Sequence, residues 1–190
     1  GQLDRTWSGP EFNRLLGKAM AENRDDFILA LYLGRYAGFR IHECFRMDTA
    51  AAEQALRENA LTVKGKGGKV RIVPIEDERI LMMLKRVLAQ TERGHKLLVP
   101  DGMPTDRSIN ALELFIYRHR NEISDEGSDR RLTFHGLRHT YAAEKYTRLT
   151  EDGMSAIDAH YAVSRLLGHE RADVTNIYLA SVRKRGRDGE

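Results

Sequence analysis

Four short segments of the sequence carry side chains that can bind an anion, exchange protons or attack an electrophile. Arginine forms forked hydrogen bonds to oxyanions, histidine and lysine transfer protons, and a tyrosine hydroxyl becomes a nucleophile once its proton is removed. In chain order these residues are Arg40, Lys66, His135, Arg138, His169 and Tyr178. Taken singly, each has an ordinary structural explanation, because cations at helix ends and lysines in glycine turns are common. The set is informative through its order and spacing.

That order and spacing resemble the catalytic domain of the tyrosine recombinase and phage integrase family, over the chain from about Phe12 to Tyr178. The motifs that carry the resemblance are Gly38-Phe39-Arg40-Ile41-His42-Glu43, Lys66, His135-Gly136-Leu137-Arg138-His139, Gly168-His169 and Tyr178. The resemblance implies a mainly α fold with a small antiparallel β-sheet (α+β). It also implies that these side chains converge on one scissile phosphate of double-stranded DNA, with no cofactor or metal.

The resemblance assigns the central residues their roles in cutting a DNA strand. Arg40 and Arg138 would bind the phosphate and stabilise the charge that develops on its nonbridging oxygens. Tyr178 would attack the phosphorus and form a covalent 3′-phosphotyrosine. Because a phenol has an ordinary pKa of about 10, a base must remove its proton, and His135 is the candidate.

The remaining candidates surround this centre. His169 would hydrogen-bond the phosphate and help to position the tyrosine, and Lys66 would protonate the departing 5′ oxygen. Glu43 would support the shape of the site. Lys69 is the nearest competitor of Lys66, since both lie in one turn. Further contacts with DNA are expected at Lys64, Lys69 and Arg71.

The helices and strands that must position these residues are readable from apolar periodicity, caps and glycines. Ser8 with Glu11 forms a capping-box pattern, and the glycines of 65–68 favour a tight hairpin turn. The sheet is expected to hold about three strands, two of them in this hairpin. Helices are predicted near 8–23, 25–38, 41–46, 48–59, 77–90, 104–122, 135–149, 155–167 and 172–179, and the hairpin strands at 60–64 and 70–75.

Composition fits one folded domain. The chain has 190 residues, of which 41% are hydrophobic and 31% charged, with a formal net charge of +3. The single cysteine, Cys44, excludes an internal disulfide framework. No apolar run reaches membrane-spanning length. We expect a linker end at 1–7, a catalytic domain at 8–180 and a basic flexible tail at 181–190, with the family's N-terminal core-binding domain absent from this chain.

Arg138 and His169 are separated by 31 positions, and 148–160 is longer than the family's compact members suggest, so an extended loop or an extra helical turn is expected there. The resemblance further implies a homotetramer on synapsed DNA for the full-length protein, a monomeric isolated domain, and action in the bacterial cytoplasm at the nucleoid. Tyr141, Tyr146 and Tyr161 are predicted to be packing residues.

Three alternatives stay open at the level of sequence. A type IB topoisomerase would use related chemistry without choosing a DNA site. A noncatalytic DNA-binding protein could keep the same fold. A zinc-dependent hydrolase could use His135 and His139, which lie four residues apart on one helical face, with His169 as a third ligand.

Overall fold

The computed structural model describes residues 4–169, apart from the side chain of Lys66. Over this range the chain forms eight α-helices and one β-hairpin, whose turn contains a short 3₁₀ segment at Lys66–Gly68. The elements in chain order are α1 (Gly9–Ala21), α2 (Asp25–Ala37), α3 (Ile41–Arg46), α4 (Thr49–Glu58), β1 (Ala60–Lys64), β2 (Val70–Pro74), α5 (Glu78–Ala89), α6 (Thr105–Ile123), α7 (Phe134–Glu151) and α8 (Ala156–Leu167).

The predicted helices within this range and the hairpin are confirmed, whereas the expected third strand is wrong for the described residues. The sheet consists of β1 and β2, paired antiparallel from Ala60 opposite Pro74 to Lys64 opposite Val70. The segment after α5 adds one isolated bridge between Asp48 and Lys96. The predicted helix 172–179 lies outside the described residues.

The α2 helix is the centre of the core. Ten of its thirteen residues are buried, which its run of apolar side chains predicts for a helix covered on all sides. Helices α1, α3, α5 and α7 all pack against it. The residues that follow α2 are consequently held at the middle of the domain, and Arg40 is among them.

Two glycines end the helices that precede the functional segments. Gly38 closes α2 with φ of 69°, and Gly168 closes α8 with φ of 79°, both in the left-handed region that favours glycine. After each turn the next residue donates its backbone N–H back into the helix, Phe39 to Leu33 and His169 to Ser164. Arg40 and His169 therefore leave the ends of two helices in defined directions.

Gly38→Ala is expected to destabilise the domain by about 1–3 kcal/mol, because it combines a left-handed φ with overpacking. A Cβ at this position would lie 2.6 Å from Tyr141 Cδ1. Urea unfolding should show the loss. Gly17→Ala is the matched control, since Gly17 lies inside α1 and an added methyl group would meet nothing within 4 Å, so this variant should be neutral or stabilising. Equal stability of the two variants would contradict the prediction.

The connection between α7 and α8 is mostly helical. Helix α7 continues to Glu151, and only 152–155 separate it from α8, so the extra residues of 148–160 lengthen helices and do not form an extended loop. No helix among the described residues is long and apolar enough to cross a bilayer.

Residues 1–7 are expected to be the end of a linker. Their described part, 4–7, packs on the core of the domain. Trp7 is 1% exposed; its indole N–H donates to Thr133 O, and its backbone N–H donates to Thr140 Oγ1, both at 2.9 Å. A Cβ on Gly136 would lie 2.3 Å from Arg5 O, so glycine is needed where this segment crosses α7. The first turn of α7, which bears His135, is thereby braced from outside.

Candidate active site

Glu43 lies at the centre of a cluster of three arginines. Its carboxylate has no exposed surface and accepts the backbone N–H of Arg40 at 2.8 Å, which caps the short helix α3. Arg71 pairs with both carboxylate oxygens, at 2.7 and 2.8 Å. The Nη1 atoms of Arg40 and Arg138 lie 3.5 and 4.0 Å from Glu43. One carboxylate thus faces three guanidinium groups, and the cluster keeps an excess of positive charge.

The pKa of Glu43 reflects this arrangement. Burial alone would raise it, but the hydrogen bonds and charge of Arg71, the backbone N–H of Arg40 and the charge of Arg138 together hold it below its ordinary value. Glu43 is therefore ionised at neutral pH and organises the arginines around a fixed negative charge.

Arg138 bridges the ends of α2 and α8. Its guanidinium has no exposed surface; Nη1 donates to Gly38 O, and Nη2 donates to Leu167 O at 3.3 Å. Carbonyls in the last turn of a helix lack helical partners and carry the negative end of its dipole, so a cation is favoured there. Arg40 Nη1 also approaches Leu167 O, at 3.5 Å. The two predicted phosphate-binding arginines consequently share one helix end.

His169 completes the cluster. Arg138 Nη2 lies 3.3 Å from His169 Nε2. Because a guanidinium only donates hydrogen bonds, Nε2 acts as the acceptor in this contact, which requires the neutral ring with its proton on Nδ1. Arg40, Arg138 and His169, predicted as parts of one site, are brought together around Glu43.

His135 and His139 occupy one side of the first turns of α7. Their rings meet edge to face with centroids 5.1 Å apart, and His139 is buried while His135 is exposed. Desolvation and the charges of Arg138, Arg40 and Arg5 lower the pKa of His135 to about 4. Desolvation and nearby charges, chiefly that of Arg138, lower the pKa of His169 to about 4 as well. Both rings are neutral at pH 7, and His135 is able to accept a proton.

These shifts predict that acid destabilises the domain through its histidines. A histidine in the unfolded chain takes up its proton near pH 6.5, whereas in the fold His135 and His169 do so only near pH 4. Between these values the unfolded state binds more protons, so the free energy of unfolding falls as pH falls from 6.5 towards 4. Urea unfolding at several pH values should show a shallower fall for His135→Gln than for wild type. If the free energy of unfolding falls equally with pH in wild type and in His135→Gln, the lowered pKa of His135 is contradicted.

The structure gives Arg71 a different place from the predicted contact with DNA. Its side chain is 7% exposed, and its Nε donates to Leu166 O at 2.9 Å while both terminal nitrogens hold Glu43. Because both of its terminal nitrogens are held by the ionised carboxylate of Glu43, this guanidinium is not presented to DNA in this structure. Sequence reasoning missed this role; the signal was the acidic residue of the first motif, which needs a buried cation. Lys64 and Lys69 are exposed on either side of the turn.

Two predicted site residues are not located by the structure. Tyr178 lies outside the described residues, and of Lys66 only the backbone is described, in the turn between β1 and β2. Of the other tyrosines, Tyr141 is buried as predicted, whereas Tyr161 is 56% exposed, so its assignment to packing is wrong.

Within residues 4–169 the geometry does not support the zinc alternative. There, the histidine and carboxylate side chains that approach one another as closely as metal ligands are Glu92, His95 and Asp101, at the surface. His135, His139 and His169 do not form such a group. The cluster around Glu43 instead presents cations, which suit an anion.

The family model of the phage integrases matches residues 11–185. Tyrosine recombinase XerD of Pseudomonas putida is 27% identical over 170 residues, a match covering 86% of this chain and 51% of that protein. XerD of Lacticaseibacillus casei is 30% identical over 184 residues, covering 93% of this chain and 58% of that protein. The chain thus spans about half the length of the curated relatives it matches.

Solved structures share the fold. The crystal structure of XerA recombinase superposes with a TM-score of 0.68 at 21% identity, covering 97% of this chain and 65% of that one. XerH recombinase bound to its difH substrate before cleavage superposes with a TM-score of 0.64 at 18% identity, and the match covers 94% of this chain and 51% of that one. The recombinase catalytic-domain fold predicted from the sequence is confirmed. Since the family model spans most of the sequence, the chain belongs to the phage integrase family.

Proposed function

We propose that the parent protein is a site-specific recombinase that cuts and rejoins DNA strands through a covalent 3′-phosphotyrosine at Tyr178. The observation that supports this most directly is the convergence of Arg40, Arg138 and His169, which are distant in sequence, around Glu43. Cationic groups gathered in one place stabilise the additional charge of a five-coordinate phosphorus. Arg40 and Arg138 supply this positive charge, and the fork of a guanidinium matches phosphate oxygens.

The reaction is a transesterification. The Tyr178 oxygen bonds to phosphorus as the bond to the 5′ oxygen breaks, so one phosphodiester replaces another and the energy for resealing is kept. The tyrosine proton passes to His135, and the 5′ oxygen takes a proton from Lys66. With a pKa of about 4, His135 is a weak base in the free domain. A bound phosphate would offset the charges of Arg40 and Arg138 and make it more basic.

The substrate we propose is double-stranded DNA at the bacterial nucleoid. Two duplexes would be recombined in two rounds of strand exchange by four copies of the full-length protein, while the isolated domain is monomeric. XerH is solved bound to its difH substrate, and the Tn1549 transposon integrase, which shares the fold of this chain with a TM-score of 0.64, is solved in complex with transposon right end DNA. These neighbours make DNA from the ends of a mobile element a suitable probe.

The test is trapping of the covalent intermediate. The full-length protein is incubated with duplexes from the DNA that flanks its gene, each nicked close to the cleavage position. Cleavage then releases a short fragment that carries the free 5′ hydroxyl. This fragment diffuses away, so resealing stops. We expect a denaturation-resistant adduct on one sequence, with the phosphopeptide containing Tyr178 in mass spectrometry. Adducts on any sequence, with relaxation of any supercoiled plasmid, would favour a type IB topoisomerase. Specific binding without any adduct would favour a noncatalytic DNA-binding protein.

A further inference from the structure

Arg71 is a buried cation on β2 that none of the assigned catalytic roles uses. Along β2 its side chain faces inward with that of Val73, and the neighbouring Val70 and Ile72 are 62% and 64% exposed. The strand therefore buries an arginine and exposes two large apolar side chains. Hydrophobic burial would favour the opposite arrangement, so the contacts of Arg71 must outweigh that preference.

Those contacts join three parts of the chain. The terminal nitrogens bind Glu43, three residues after Arg40, and Nε binds Leu166 O at the end of α8. A Cβ on Gly168 would lie 3.0 Å from Arg71 Nη1, so the residue directly before His169 rests against the guanidinium.

The third contact is with the hairpin turn. A Cβ on Gly65 would lie 3.4 Å from Glu43 Oε2 and 3.5 Å from Arg71 Nη1. Gly65 precedes Lys66, and its N–H closes the turn by donating to Lys69 O at 2.7 Å. The backbone that leads into Lys66 therefore lies directly on the ion pair between Glu43 and Arg71.

We propose that Arg71 is a positioning residue of the cleavage reaction: through its pair with Glu43 it holds the turn of Lys66 and the turn of His169 in place beside Arg40. The inference rests on the proposed function for its activity readouts. The planar fork of arginine is required, because it bonds two carboxylate oxygens and a carbonyl at once in fixed directions. Lysine keeps the charge and cannot satisfy all three acceptors in that geometry.

The first experiment compares two leaving groups in the adduct assay with full-length protein. Arg71→Lys should cleave ordinary DNA about a hundredfold more slowly than wild type, the range expected when general-acid catalysis is lost. On DNA with sulfur in place of the 5′ bridging oxygen, the loss should shrink to about tenfold or less, because a thiolate leaves without a proton. Arg86→Lys alters an exposed arginine paired with Asp25 and should behave as wild type on both DNAs.

The second experiment asks whether Arg71 acts through Lys66. Lys66→Ala alone should slow cleavage of ordinary DNA, and adding Arg71→Lys to it should slow the reaction only by a further factor of about ten or less, from the effect on His169. Two results would overturn the coupling to Lys66 and indicate a general structural effect of Arg71. One is a double variant whose loss of cleavage rate equals the product of the two single losses. The other is an Arg71→Lys variant that loses as much rate on the sulfur DNA as on the oxygen DNA. Wild-type activity of Arg71→Lys would overturn it as well.

A third measurement does not depend on activity. In amide hydrogen exchange, Arg71→Lys should speed exchange in 65–69 and 166–169 while leaving the centre of α2 protected. If wild type forms no adduct, the proposed function fails while this result still decides whether Arg71 fixes the two turns. Unchanged exchange in both segments would refute the inference. Arg71→Gln, which keeps one amide donor towards Glu43, is measured in the same way if Arg71→Lys does not fold.

Discussion

Tyr178→Phe is expected to abolish the covalent adduct, with a fall of at least about ten thousandfold in strand cleavage. The substitution removes a single oxygen, the atom that would bond to phosphorus, and water offers no covalent intermediate in its place. Binding to DNA should change little, because phosphate contacts made by arginines and lysines dominate affinity. Gel separation of adducts and a mobility-shift titration on the same duplex check the two expectations.

The matched control is Tyr161→Phe. Tyr161 is exposed on α8, so the loss of its hydroxyl disturbs no buried hydrogen bond, and cleavage should stay at the wild-type rate. An adduct that persists in Tyr178→Phe at the wild-type rate would show that another residue is the nucleophile, and mass spectrometry of that adduct would identify it.

Arg138→Lys is expected to slow cleavage by about a hundred- to thousandfold, the usual cost of removing one donor aimed at developing charge. The guanidinium contacts Gly38 O, Leu167 O and His169 at once, and a single ammonium group cannot span these positions. The rate of adduct formation at saturating DNA measures the effect. Affinity for DNA should fall by much less than the rate, because this contact is one among many with the backbone.

Folding must be monitored in the same variant. Lysine retains a buried charge with fewer partners, so Arg138→Lys should also lower the free energy of unfolding, by about 1–3 kcal/mol. The rate is therefore measured at a temperature where unfolding curves show the variant to be native. A native variant that cleaves DNA as fast as wild type would remove Arg138 from the transition state.

Local sequence signals predict the scaffold well. Helix α1 begins at its capping box, and α2 and α8 end at glycines with positive φ, as the sequence around Ser8, Gly38 and Gly168 indicates. Within residues 4–169 the sheet has two strands and not the expected three, because strand formation depends on a partner that lies far away in sequence. Lys96 forms only an isolated bridge with Asp48 and does not extend the sheet.

The site is predictable in a different way, through motif order. No local property of Arg138 indicates that it is buried between two helix ends, and only its place in the set of motifs pointed to a shared centre. Arg71 shows where such reasoning stops. In a strand whose side chains alternate between core and solvent, a basic residue between Val70 and Ile72 is expected to face solvent. Arg71 faces inward instead, because burying the charge of Glu43 without a partner would cost far more than exposing these two apolar side chains.

The enclosure of Arg138 has a consequence for the rate of strand cleavage. Its guanidinium has no exposed surface and already contacts Gly38 O and Leu167 O, so under the proposed function a phosphate would have to replace some of these partners. If that exchange costs about 2.7 kcal/mol, the observed affinity of this contact is weakened about a hundredfold. The rate of adduct formation would then include the cost of freeing Arg138 as well as the cost of the chemistry.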